Sequence, residues 1–158
     1  MELQLKVVDP DLFRKLFQSV PRFIDKAHFD IDRSRVRIRS IDPHDFCYVD
    51  LILNKSFFVG SLPESRLAFG IDVSKFNRIL PNLLYANEIW INVDSGALEI
   101  EAAKEWKLRF RISWLDQDPY DLPEARNIRY DACVEIPSQE FTSLISAAST
   151  VSNELVFS

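Results

Sequence analysis

"VDPDLFRKLF" (Val8–Phe17), "IDVSKFNRIL" (Ile71–Leu80) and "IPSQEFTSLI" (Ile136–Ile145) share one arrangement. In each, a branched aliphatic residue is followed five positions later by Phe, and three and four positions after that by two more apolar residues. That spacing marks one face of a short helix. Each stretch begins where a strand-like run ends, so the repeated unit opens with a strand and turns into a helix.

The first copy starts with "LQLKVV", in which Leu3, Leu5 and Val7 alternate with polar positions, a strand pattern. The period then changes. Leu12, Phe13, Leu16, Phe17 and Val20 fall on one side of a helix, with Arg14, Lys15 and Gln18 on the other. Asp9 is placed to cap this helix, Pro10 to occupy its first position and Pro21 to stop it. Three strand-like runs follow: "KAHFDID", "RVRIRSI" and "FCYVDLIL".

The second copy keeps the order. "RLAFGI" reads as a strand. Phe76, Ile79, Leu80 and Leu83 share one helical face, and Lys75, Arg78 and Asn82 the other, with Pro81 ending or bending the helix. Then come "EIWINV", "ALEIEA" and "KLRFRISWL", with a hairpin turn at Gly96.

The fold class is therefore α+β. Two tandem βαβββ units place two helices on one face of a continuous antiparallel sheet. Neither unit alone covers its apolar face; two together do. The expected divisions are a domain over 1–114, an acidic, proline-bearing connector over 115–129, and the opening of a second domain over 130–158. In that opening "YDACVEI" reads as strand, "SQEFTSLISAAS" as helix and "ELVFS" as the start of another strand.

Composition narrows the function. The 158 residues are 47% hydrophobic, enough for a packed core, and carry a formal net charge of -5. Nucleic-acid binding would need a local basic face. The three glycines are scattered, so no phosphate-cradling Gly-rich loop can be built. No secretory leader and no apolar run of membrane-spanning length is read. Cys47 and Cys133 lie in strand-like runs and are expected to be reduced, buried and intracellular. "DPHD" brings Asp42, His44 and Asp45 together, but these are also turn formers, and a polar turn explains them better than a metal site. Arg35, Arg37 and Arg39 alternate with Val36 and Ile38 and are assigned to a solvated outer strand face. No nucleophile–base constellation is visible.

The strand–helix opening "LKVVDPDLFRKLF", then "RIRSIDPHDF", "LAFGIDVSKFNRIL", the acidic "LDQDPYDLPE" and "IPSQEF" occur in an order that resembles sliding clamps of the proliferating-cell-nuclear-antigen type. The resemblance spans the chain. It implies a DNA-clamp fold and a subunit of a ring, a trimer in full-length form, that encircles duplex DNA. Such a ring tethers polymerase, nuclease, ligase and clamp loader through short aromatic-anchored peptides. It implies no catalysis, no cofactor, no metal and no membrane partner. Its setting would be cytoplasmic in an archaeon or nuclear in a eukaryote.

Carried onto this sequence, the resemblance puts Arg14, Lys15, Lys75 and Arg78 towards DNA, with Arg22 and Lys26 as further candidates. It puts Ile41, Phe46, Tyr120, Leu122 and Pro123 in a client-peptide groove. Lys107, Arg109, Arg111 and Ser113 mark the edge strand of a subunit interface. The helix over 138–149 carries no Lys or Arg, which departs from a basic pore lining. Roughly 100 residues of an ordinary second domain are not represented, so this chain alone is expected to close no ring. A clamp-like fragment that binds client peptides or caps a clamp without encircling DNA remains the alternative, as does an unrelated β-rich enzyme.

Overall fold

The computed structural model describes residues 3–19, 24–44, 47–116 and 133–152. The chain divides into two compact units, Met1–Pro123 and Glu124–Ser158.

In the first unit the strands are β1 (Leu3–Val7), β2 (Lys26–Ile31), β3 (Arg35–Ile41), β4 (Tyr48–Asn54), β5 (Phe58–Val59), β6 (Leu67–Asp72), β7 (Glu88–Val93), β8 (Ala97–Ala103) and β9 (Lys107–Ser113). The helices are α1 (Pro10–Gln18) and α2 (Val73–Ile79). α1 starts as expected: the Asp9 carboxylate accepts the Leu12 amide at 2.9 Å, and Pro10 fills the first turn. α2 grows straight out of β6, with Asp72 capping the amides of Ser74 and Lys75. It stops at Ile79 because Pro81 has no amide to offer Asn77; the chain tightens into a 3-10 turn over Leu80–Leu83.

The sheet is two sheets. One runs β5-β1-β7-β8-β9 and the other β4-β3-β2-β6, all neighbours antiparallel. The first strand of each βαβββ unit pairs inside the other unit's sheet: Leu5 faces Ile91 on β7, and Phe69 of β6 faces Phe29 on β2. This exchange is the form in which the two copies cover one another, and it replaces the continuous sheet expected from sequence. The sheets touch where β9 ends. Leu115 donates its amide to the Gly70 carbonyl at 2.9 Å, and Trp114 stacks on Phe69, itself stacked on Phe29.

The core is apolar and continuous through both copies. The two helices meet through Phe17 and Phe76, whose ring centroids lie 4.8 Å apart, with Phe13 fully buried beside them. Leu12, placed on this face by its spacing, is 43% exposed. The contact is narrower than the stripe of apolar letters. Gly60 holds φ +132°, and a side chain there would meet the Gln4 carbonyl at 2.8 Å, so only glycine fits beside β1.

Two further expectations fail. Arg37 and Arg39 are buried, not solvated. Arg37 makes a two-pronged contact with Asp50 at 2.8 and 2.7 Å, and Arg66 does the same to Asp30 on the next strand. Strand alternation sets which face a residue takes, whereas long neighbouring side chains decide whether that face is wet. The cysteines are not buried in strands: Cys47 is half-buried just before β4 and Cys133 is exposed.

In the second unit the helix α3 (Ser138–Ser149) forms, but Cys133–Pro137 are not strand. Phe141 and Leu144 are exposed on it. Tyr130–Ala132 and "ELVFS" lie outside the described residues.

Two outcomes follow from this packing. Phe17→Ala should cost about 3–5 kcal/mol in urea denaturation, and Leu12→Ala under about 1 kcal/mol; equal losses would contradict a core that holds Phe17 and leaves Leu12 at its margin. The Asp50 carboxyl is held below the ordinary carboxylate range, first by its hydrogen bonds from Arg37 and against the opposing effect of burial. A lowered folded-state pKa contributes stability that is present above the unfolded pKa and lost as pH falls through the folded one. Wild type should therefore lose more stability than Asp50→Asn between about pH 5 and pH 2, read from urea midpoints.

Candidate functional site

The exposed faces of α1 and α2 lie together because Phe17 and Phe76 join the helices from beneath. Between them runs an open groove of about 580 Å³, lined by Phe17 and Gln18 from α1, Asn77 and Arg78 from α2, and Leu80 and Leu84 beyond it. Lys15, Lys75 and Arg78 are exposed. Lys75 lies 3.9 Å from Asp72, a loose pair. The Asp72 carboxyl is lowered chiefly by the Ser74 hydroxyl, so it stays charged and offsets part of the lysine's field. Three cations on neighbouring helices can contact the phosphates of a polyanion and carry no base-reading geometry.

Arg14 does not join them. Its Nη1 donates to the carbonyls of Leu83 at 2.9 Å and Ala86 at 3.1 Å, its Nη2 pairs with Asp11, and its side chain is only 11% exposed. The Leu83 carbonyl also accepts the Ala86 amide at 3.1 Å, so the guanidinium takes its second lone pair and adds a cation where the chain leaves the 3-10 turn. Arg14 thus ties α1 to the chain beyond α2. Lys26 is exposed on β2, while Arg22 lies outside the described residues.

The end of β3 carries the one groove candidate that is described. Ile41 is half-buried and faces Tyr48 across the hairpin. Phe46, Tyr120, Leu122 and Pro123 lie outside the described residues. Asp42 is buried, and its two oxygens accept the amides of His44 and Cys47. Asp42, Pro43 and His44 therefore open a turn, with Asp45 outside the described residues, and among the described residues no group of three or more His, Cys, Asp or Glu could hold a metal ion.

β9 ends its sheet, so one backbone edge has no strand beside it among the described residues. Its outward side chains are already paired within the chain. Lys107 and Arg109 both reach Glu101, at 3.0 and 2.8 Å, and Arg111 reaches Asp94 at 2.7 Å. Glu101 is lowered by these two cations, Lys107 first. Ser113 is exposed. What β9 offers to another strand is backbone, flanked by the exposed apolar side chains of Trp106 and Leu108.

A family model described as proliferating cell nuclear antigen, N-terminal domain, matches residues 1–113. The DNA polymerase sliding clamp of Cenarchaeum symbiosum is 22% identical over 158 residues, covering 98% of this chain and 62% of that protein. DNA polymerase sliding clamp 3 of Sulfurisphaera tokodaii is 24% identical over 94 residues, 60% of this chain and 38% of the relative. The chain thus spans less than two thirds of these relatives. Among solved structures, the nuclear antigen of Entamoeba histolytica superposes with a TM-score of 0.78 at 19% identity, covering 96% of this chain and 62% of that one. That of Thermococcus kodakaraensis gives 0.75 at 21%, covering 97% and 62%. A PCNA2–PCNA3 complex of Sulfolobus tokodaii gives 0.75 at 18%, covering 95% and 61%. These likenesses agree with the paired βαβββ fold, and the match over residues 1–113 decides the assignment: the chain belongs to the proliferating cell nuclear antigen family and carries its N-terminal domain.

Proposed function

We propose that this chain acts as a sliding-clamp subunit, part of a ring that encircles duplex DNA and tethers replication and repair enzymes to it. The observation that carries the reading is the α1–α2 face. It sets three exposed cations on two helices locked together by Phe17 and Phe76, in a protein whose net charge is negative. An acidic protein with a local basic helix face is held to DNA by phosphate contacts and carries no sequence preference, as a sliding ring requires. The task is topological and calls for no catalytic group.

The free edge of β9 is the proposed seat of a neighbouring clamp subunit, joined strand to strand, and the PCNA2–PCNA3 pair is the kind of assembly it suits. Polymerase, nuclease, ligase and clamp loader are proposed to dock by short aromatic-anchored peptides beside Ile41, in the groove that the resemblance also assigns to Phe46, Tyr120, Leu122 and Pro123. α3 carries no Lys or Arg, so the phosphate contacts of the described residues come from the first unit. Among the described residues no helix is long and apolar enough to cross a membrane.

Charge reversal separates the working cations from the structural one. Lys15, Lys75 and Arg78, all changed to Glu, should leave the thermal midpoint near wild type. The change should flatten the plot of log affinity for duplex DNA against log salt by about 2–3, since each lost phosphate contact removes about 0.9. Arg14→Ala should do the reverse: about 1–3 kcal/mol of stability lost and the salt slope kept. An unchanged slope in the triple variant rejects the basic face.

A further inference from the structure

His28, on β2, is 4% exposed, and neither of its ring nitrogens has a hydrogen-bond partner. A leucine would fill the same space without leaving polar atoms unpaired. What an imidazole adds is a charge that it can take up between about pH 5 and pH 8.

The surroundings decide what that charge would meet. The residue directly opposite His28 on β3 is Arg39, itself buried, and on β6 it is Gly70. Along β2, on the same face, stand Lys26 and Asp30. Asp30 already accepts two hydrogen bonds from Arg66, at 2.8 and 2.5 Å. Asp72, two residues beyond Gly70, caps α2, and Asp50, opposite Arg39 on β4, is held by Arg37. The carboxylates of this face are committed elsewhere. Burial first, and then Arg39, push the His28 imidazole below its ordinary range, against a smaller upward pull from Asp30.

Gly70 carries no side chain, and Leu115 lies over it: a side chain on Gly70 would meet Leu115 Cδ1 at 3.5 Å. The Leu115 amide donates to the Gly70 carbonyl at 2.9 Å. Directly opposed residues share a sheet face, so Leu115 packs on the face that His28 occupies, where β9 has ended and the two sheets touch.

We propose that His28 is an acid-sensitive latch for this junction: neutral, it packs beside Leu115 and lets the end of β9 close on β6; protonated, it is driven to water and the Leu115–Gly70 contact opens. An imidazolium left in place would be a buried charge facing Arg39, with Asp30 already taken by Arg66. The Leu115 side chain offers it no acceptor. The latch belongs to the first unit and needs neither DNA nor a second subunit.

The test uses the full chain between about pH 7.5 and pH 5.5, above the ordinary carboxylate range. NMR hydrogen exchange, corrected for the intrinsic rate at each pH, follows the Leu115 amide. Long-range proton–nitrogen spectra follow the His28 ring. Leu115 should open at a lower free energy than the amides of β7 and β8. Below about pH 6.5 its protection factor should fall by up to about tenfold per pH unit, because the opened state takes a proton that the closed state refuses. His28→Phe should remove this pH dependence, and His44→Ala, at the other histidine, should keep it. A fall that persists in His28→Phe overturns the proposal. So does a Leu115 amide that exchanges only with global unfolding, which would make the effect one of stability alone. Should His28→Phe not fold, the wild-type ring decides: a ring that protonates near pH 6.5 while Leu115 keeps its protection overturns the latch.

Discussion

A βαβββ unit has too few strands to cover its own helix, and the rest of the structure depends on how that shortage is met. Each unit gives its first strand to the other's sheet. β1 completes the sheet of β7, β8 and β9, while β6 completes that of β2, β3 and β4. The backbone hydrogen bonds that β1 needs are available only from the second unit, and those of β6 only from the first. Since α1 follows β1 and α2 follows β6 with hardly a residue between, exchanging the strands also brings the helices to one side. The Phe17–Phe76 contact and the groove above it are consequences of that placement.

Charge is distributed by the same geometry. Where strands lie side by side, arginines reach carboxylates directly opposite or on the diagonal and pair off: Arg109 with Glu101, Arg37 with Asp50, and Arg66, just before β6, with Asp30. Arg14 is drawn down to the carbonyls of Leu83 and Ala86, where the chain leaves the 3-10 turn. Lys15, Lys75 and Arg78, the cations proposed for phosphate contact, are exposed on these two helices, and Asp72 lies 3.9 Å from Lys75.

Much of this was legible from letters. Alternation in "KLRFRIS" and "EIWINV" marks strands because a half-covered sheet demands it, and Asp9–Pro10 marks a helix start because the first amides need an acceptor. The exchange of β1 and β6 was not legible, since alternation tells which face a residue takes and says nothing of which strand lies beside it. Arg14 misled for a related reason. Its acceptors, Leu83 and Ala86, lie 69 and 72 residues away, so on the helix alone it looks like any surface arginine. Leu12 shows the limit of a helical stripe: periodicity gives a side, and the curvature of the neighbour decides how much of that side is covered. Asp42 read correctly as a turn residue, but its burial and its two amide bonds belong to the folded hairpin.

Strand exchange makes the two copies a single cooperative structure, and native-state hydrogen exchange across a denaturant series tests this most directly. Amides of β1 and β6 should share one opening free energy with those of β2, β3, β7 and β8, converging on the global value. Protection that persists in β2–β4 after β7–β9 have opened would mean that each unit folds on its own strands, and would contradict the account.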